Sequence, residues 1–337
     1  KSGRDNIVQI ISMSGEPVAE VELDRLSRSP ETIVPHDADQ DGLIDLLLFT
    51  RSKPMIMLRQ TTDGGFELLE SDRMGQYGLV EAATSDNIAR FDIDGDGPPE
   101  LLIADKNFVR AVRYDLAPAA GVSPGWQVVT QVNAEDGSSE LISIATLDGR
   151  IFAADEENAR MIVMERGDAD RPLSWTATES LAVKGFEFDT VETGAFSGDA
   201  GQDILAIGTD GFAVVRLAGQ RLGLDEVASH RSSEEQHFPH ELIAGDMNDD
   251  GFTDLVSLDA AEQMCEIFTI TESERLLYAT GFQVFESKVF SGGEPREFEP
   301  SQGVIADVTG DGAADLLLVA HDRVLLYPQM TDDDVAR

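Results

Sequence analysis

The stretch Asp37-Ala38-Asp39-Gln40-Asp41-Gly42-Leu43-Ile44-Asp45-Leu46-Leu47-Leu48-Phe49 holds two signals in one run. Acids alternate through a short loop that contains a glycine, and a carboxylate then leads an apolar block. Such a block, rich in Leu and entered from an Asp/Gly cluster, reads as a buried strand. Five more segments share the shape: Glu100-Leu-Leu-Ile-Ala, Glu140-Leu-Ile-Ser-Ile, Asp203-Ile-Leu-Ala-Ile, Asp254-Leu-Val-Ser-Leu and Asp315-Leu-Leu-Leu-Val. Their leading acids are 55, 40, 63, 51 and 61 residues apart. Self-similarity near fifty residues marks a repeat architecture.

The residues after each block are also alike. In the first unit Met55 to Gln60 reads as a second apolar strand, Thr62-Asp-Gly-Gly as a turn, and Phe66 to Leu69 as a third strand. Cys265 to Thr271 and Leu276 to Phe285 take those parts in the fifth unit. Four strands per unit without a helical period predict an all-β chain, a β-propeller of four-stranded blades. Asn6 to Met13 and Pro17 to Leu23 read as the end of one blade. Val304 to Asp307, Leu316 to Ala320 and Val324 to Tyr327 read as the start of another. Joining these ends gives six blades with a strand to spare, the count expected here; seven is the alternative. Residues 1–337 are read as one propeller, processed or cut from a longer polypeptide.

Four loops follow the pattern Asp-x-Asp-x-Asp-Gly-x-x-Asp or a near variant. They are Asp37, Asp39, Asp41 and Asp45; Asp92, Asp94, Asp96 and Glu100; Asp246, Asn248, Asp250 and Asp254; and Asp307, Thr309, Asp311 and Asp315. Oxygen side chains at alternate positions converge on one point, and a set this hard suits Ca²⁺, which takes ~6–8 oxygens. The seventh residues, Leu43, Pro98, Phe252 and Ala313, are placed to add a backbone carbonyl. About four calcium sites are therefore expected. An EF-hand needs a bidentate Glu at position twelve, where this chain has Leu48, Ile103, Ser257 and Leu318. A plain Asp-Gly turn explains one acid, not three or four. Two further loops keep two acids each and are expected to be empty turns on the same backbone path: Val132, Ala134, Asp136, Gly137 and Glu140, and Ala195, Ser197, Asp199, Ala200 and Asp203.

The four loops and the strands they enter resemble FG-GAP/VCBS-type repeat proteins, whose best known members are the calcium-binding propellers of integrin α subunits; bacterial VCBS-like relatives are the closer likeness. The resemblance implies a calcium-stabilised, extracytoplasmic propeller used for adhesion or protein contact, placed in the periplasm, on the cell surface or secreted.

Composition narrows the partners. The formal charge is -39, with 64 Asp+Glu against 25 Lys+Arg, so nucleic acid is an improbable partner. Four Ca²⁺ would leave the charge at -31. A single Cys excludes an internal disulfide framework and multi-thiolate metal sites. No apolar run approaches the roughly 20 residues of a membrane span. Catalytic signatures are missing: no Gly-x-Ser-x-Gly, His-Glu-x-x-His or Walker-type run occurs, and the close pair His237-Phe-Pro-His240 sits in a polar connector. Cys265 falls in an alternating strand and reads as a core thiol. Trp126, Trp175 and four Tyr show no regular spacing, against the per-blade platforms a lectin would want. The expectation is a non-enzymatic binding, adhesion or scaffold module whose partner is another protein or surface component. The alternatives are a polysaccharide-active enzyme or lectin, with a glycan as partner, or one subunit of a larger assembly.

Overall fold

The computed structural model describes residues 6–11, 17–23, 26, 30, 32–116, 124–167, 173–182, 187–194, 196, 203–208, 211–217, 224–231, 239–259, 263–271, 276–284, 300, 302–320 and 323–329. Strands β1 (Asn6–Ile11) and β2 (Pro17–Leu23) form a two-stranded sheet. Five four-stranded antiparallel meanders follow in chain order. The first blade is β3 (Thr32–His36), β4 (Asp45–Phe49), β5 (Ile56–Gln60) and β6 (Phe66–Leu69). The second is β7 (Ile88–Phe91), β8 (Glu100–Asp105), β9 (Phe108–Asp115) and β10 (Gly125–Asn133). The third is β11 (Leu141–Leu147), β12 (Arg150–Asp155), β13 (Arg160–Arg166) and β14 (Trp175–Leu181). The fourth is β15 (Thr190–Gly194), β16 (Asp203–Gly208), β17 (Gly211–Leu217) and β18 (Leu224–Arg231). The fifth is β19 (Pro239–Gly245), β20 (Asp254–Asp259), β21 (Met264–Ile270) and β22 (Leu276–Gln283). A three-stranded sheet closes the order with β23 (Gln302–Ala306), β24 (Asp315–Ala320) and β25 (Arg323–Tyr327). This is the expected all-β propeller fold, with partial sheets of two and three strands at the two ends of the chain. The only helix among the described residues is a 3₁₀ turn, η1 (Tyr77–Leu79).

Contacts group the chain into two compact units, Lys1–Asn158 with Ile162–Thr178, and Ala159–Met161 with Glu179–Arg337. In the first, Leu47 and Phe49 of β4 pack toward Leu101 and Ile103 of β8. Leu48, between them, faces Val8 and Leu23 of the end sheet. On β8 the neighbours Leu102 and Ala104 turn the other way, onto Leu141, Ile151 and Ala153 of the third blade. In the second unit Leu255 joins the fourth-blade core of Leu205 and Phe212. Val256 and Leu258 face Leu316 and Leu318 of β24. Successive side chains point to opposite faces, so a strand covered on both sides must be apolar throughout. That is why the second strand of a blade reads as an unbroken block.

The third blade departs from the expected frame. Glu140 leads β11, the first strand of its sheet, and is exposed, whereas the leading acids of the four Asp loops are buried. The expected loop Val132, Ala134, Asp136, Gly137 and Glu140 is therefore a connector between blades. The true second strand is β12, reached by the two-residue hairpin Asp148-Gly149, both residues with positive φ. Asp-Gly fits such a turn because its twist matches that of the flanking strands. With β12 in place, second strands begin 55, 50, 53, 51 and 61 residues apart, a more even period. Of the other worn loop, Ala195, Ser197, Asp199 and Ala200 lie outside the described residues, and Asp203 is buried at the head of β16.

The first two blades also meet at Gly75 and Gly125, joined by an isolated parallel bridge. A methyl group on Gly75 would overlap the Pro124 carbonyl oxygen. Gly75→Ala is expected to cost about 1–3 kcal/mol, as overpacking does, measured as a lowered urea midpoint with an unchanged m-value.

Candidate metal centre

Each Asp loop joins the first strand of a blade to the second, β3 to β4, β7 to β8, β19 to β20 and β23 to β24. All four share one internal geometry. The first acid caps the glycine: the Gly42, Gly97, Gly251 and Gly312 amides donate to Oδ2 of Asp37, Asp92, Asp246 and Asp307 at 2.9, 3.1, 2.9 and 3.0 Å. The fifth-position acid accepts from the seventh amide, Leu43 to Asp41, Phe252 to Asp250 and Ala313 to Asp311, at 2.8, 2.8 and 2.9 Å. Pro98 has no N–H, so Asp96 lacks this bond. Positions four and six both take positive φ: Gln40 and Gly42, Gly95 and Gly97, Asp249 and Gly251, Gly310 and Gly312. The need for a left-handed fourth residue is invisible in the Asp-x-Asp pattern, because Gln, Gly and Asp all fill it.

The ninth-position acids Asp45, Glu100, Asp254 and Asp315 are 0–2% exposed. One oxygen of each accepts the amide of position two: Ala38, Ile93, Met247 and Val308, at 2.9–3.1 Å. The other oxygen differs between loops. In Asp45 it accepts from Gln60 N, in Asp315 from Gln329 N, and in Glu100 from Gln40 Nε2 of the preceding loop, at 2.8, 3.1 and 3.1 Å. Asp254 Oδ1 is buried with no hydrogen-bond partner.

Burial raises the Asp45 carboxyl to about 7, and the charges of Asp39 and Asp37 push the same way. Glu100 and Asp254 are also raised, chiefly by burial. Backbone amides, led by Thr309, hold Asp315 below the ordinary range. Asp39 is raised by burial and by Asp41, although Arg59 approaches its Oδ2 at 3.4 Å.

Asp37, Asp39 and Asp41 each bring a carboxylate oxygen within 4.8 Å of the others, as do Asp92, Asp94 and Asp96. The donor set fits a hard divalent cation: clustered carboxylates, raised pKa values and an orphaned buried oxygen at Asp254. Leu43, Pro98, Phe252 and Ala313 occupy the turn into the ninth acid, where a carbonyl ligand is expected. Asn248 Oδ1 and the Thr309 amide serve the loop backbone, Asn248 accepting from Asp250 N and Thr309 donating to Asp315.

Loop anchors absent from the sequence reading come from the next blade. Ile93 O, in the second loop, accepts from Trp175 Nε1 and Arg166 Nη2, both at 3.0 Å. Arg166 also stands against Gly95, whose positive φ is the conformation a side chain would strain. In the first loop Ala38 O accepts from Tyr114 N at 2.7 Å, and Trp126 packs in the same core. Trp126 and Trp175 begin the fourth strands of adjacent blades, one repeat apart, which corrects the reading of irregular spacing. They are inter-blade packing residues, each edge-on to an aromatic of the preceding strand or blade.

Two of the residues considered for catalysis, Cys265 and His36, are buried. Cys265 is buried, with its thiol pushed up to about 12. His36 is buried with neither ring nitrogen partnered. His237 and the side chain of His240 lie outside the described residues.

No protein-family model and no curated protein sequence matches the chain. Solved structures similar in fold include a Lactobacillus plantarum protein, with TM-score 0.55 and 12% identity over 94% of this chain and 85% of that one. Another is an Agrocybe aegerita lectin, described as recognising non-reducing terminal N-acetylglucosamine, with TM-score 0.51 and 16% identity over 88% and 76%. A third is BBS1N, solved in complex with ARL6DN, with TM-score 0.50 and 12% identity over 90% and 80%. At such identities the likeness shows the propeller fold. No helix among the described residues is long and apolar enough to cross a membrane.

Asp45 and its neighbour His36 have opposite effects on metal-free stability. Folded Asp45 holds its proton up to about pH 7 where the unfolded carboxyl, at 3.8, has released it, so its contribution falls as pH rises. His36, lowered to about 4 by burial and then by Arg90, is neutral when folded over a range where the unfolded ring, at 6.5, is charged. Its contribution rises with pH. Asp45→Asn is therefore expected to make the stability of metal-stripped protein climb more steeply from pH 4.5 to 6.5 than in wild type, read from urea midpoints. Parallel profiles would refute the assignment.

Proposed function

We propose that the chain is a non-enzymatic binding module of the FG-GAP/VCBS type, held rigid by Ca²⁺ in its four Asp loops and working outside the cytoplasm on a protein or surface component. The observation that carries the reading is the geometry common to all four loops. Each spends one acid capping its glycine and one clamping its second strand, and the first two still gather three carboxylate oxygens at one point. Left to themselves such groups repel one another, and a cation removes that cost. Bound calcium supplies positive charge and links the first strand of a blade to the second through the loop residues.

Several facts support a binding role. The thiol and the buried imidazole are inaccessible to a substrate, and the similar folds include a lectin and a chain solved with a partner protein. Extracytoplasmic action follows from the metal, because millimolar calcium fills carboxylate loops that submicromolar cytosolic levels leave mostly empty.

Metal analysis of dialysed protein should find about four calcium ions per chain. At calcium one hundred times above Kd, each ion adds ~2.7 kcal/mol, so excess EGTA should lower Tm by roughly 3–5 °C per ion lost. Asp96→Ala, at the one fifth-position acid that does not accept the seventh residue's amide, should remove one ion and a similar share of Tm. An unchanged melting curve in EGTA would refute the calcium reading. Capture of a partner by calcium-loaded protein alone would support the binding role, and sustained turnover of a polysaccharide would refute it.

A further inference from the structure

The first blade differs from the others at the end away from its Asp loop. Six residues separate β4 from β5, whereas two separate β8 from β9 and four separate β12 from β13 and β20 from β21. The connector from β6 to β7 runs 18 residues, as long as that from β22 to β23 and against seven between β10 and β11, and it contains η1. Extra residues in a repeat array map to loops on one face, commonly the binding face. Here the two enlargements wall a single cavity of about 450 Å³, within the usual range for ligand sites.

The cavity walls are fixed by hydrogen bonds. Tyr77 Oη of the connector accepts the Met55 amide at 3.0 Å, tying it to the β4–β5 turn. The buried Asn87 side chain donates to Ala82 O and Ala104 O, both at 2.8 Å, and accepts Thr84 N at 2.7 Å. Ser52, in the turn, holds a positive φ, as Lys106, Ala159 and Gln263 do in the matching turns of other blades, so the turn keeps the fold's own backbone path despite its extra length. A site preformed in this way loses little ordering entropy on binding.

The lining is unusual for a chain of charge -39. It brings Arg51 and Lys53, one of five lysines, together with Glu81 and Asp86, among hydroxyls from Thr50, Thr84 and Tyr77. Among the described residues Lys53 and Glu81 have no ion-pair partner. A strongly anionic ligand is opposed by the field of the whole chain, and a cationic one by Arg51 and Lys53. What remains is a neutral ligand dense in groups that both donate and accept.

We infer that this cavity is a binding site for a neutral saccharide, one or two sugar rings in size. The assignment rests on the reading of the chain as a binding module and names the ligand class one face of that module takes.

Calcium-loaded protein applied to an array of neutral and acidic saccharides should retain neutral ones. Saturation-transfer NMR with the best array sugar should then show binding weakened at least tenfold by Lys53→Ala and by Glu81→Gln, both exposed positions, with Tm unchanged. Failure of the folded protein to bind any array sugar, preference for acidic sugars, or retention by both variants overturns the site and leaves the module reading standing. Cleavage of the bound saccharide would instead refute the module reading and leave the cavity assigned.

Discussion

A buried carboxylate at the foot of the second strand sets the geometry of each Asp loop. Removing a charged group from water is costly unless hydrogen bonds replace the lost hydration. Asp45, Glu100, Asp254 and Asp315 meet that requirement with an amide seven or so residues back in their own loop, and this closes the loop on itself. How well the demand is met varies. Asp315 receives amides from Val308, Thr309 and Gln329 and is held low. Asp45 receives two, and its burial, with Asp39 and Asp37 adding to it, holds it high. The same loop path therefore produces different demands for positive charge.

The blades depend on a second constraint, that their second strands be covered on both faces. Leu47 and Leu48 belong to different cores although they are adjacent in the chain. A substitution at one therefore acts on the blade behind, and at the other on the blade ahead. The loops are part of this arrangement: Gln40 reaches Glu100 in the next Asp loop, while Trp175 and Arg166 reach back to Ile93.

Much of the fold was legible because doubly covered strands cannot hide their composition. Asp45–Phe49 was read to the residue, and both end sheets were recognised as partial. The error at Glu140 has a physical origin. An Asp-Gly turn followed by an acid and apolar residues describes both an Asp loop and a connector into a first strand that is itself well buried. Period alone did not separate them; the hairpin at Asp148-Gly149 did. The alternation of acids in the loops was legible because it is local. The anchors at Trp175, Arg166 and Tyr114 were not, since each comes from a strand far along the chain and pairs with a backbone carbonyl, which leaves no trace in residue type. The 49-residue interval between the two tryptophans was the available clue.

The third blade carries one more lesson. There the crossing from first to second strand takes two residues, Asp148 and Gly149, where its neighbours use eight. The architecture thus contains its own two-residue version of the crossing, built on the same sheet. The long acidic crossing is a detachable part of individual blades, and a protein engineer could replace it stepwise by transplanting the short hairpin without redesigning the scaffold.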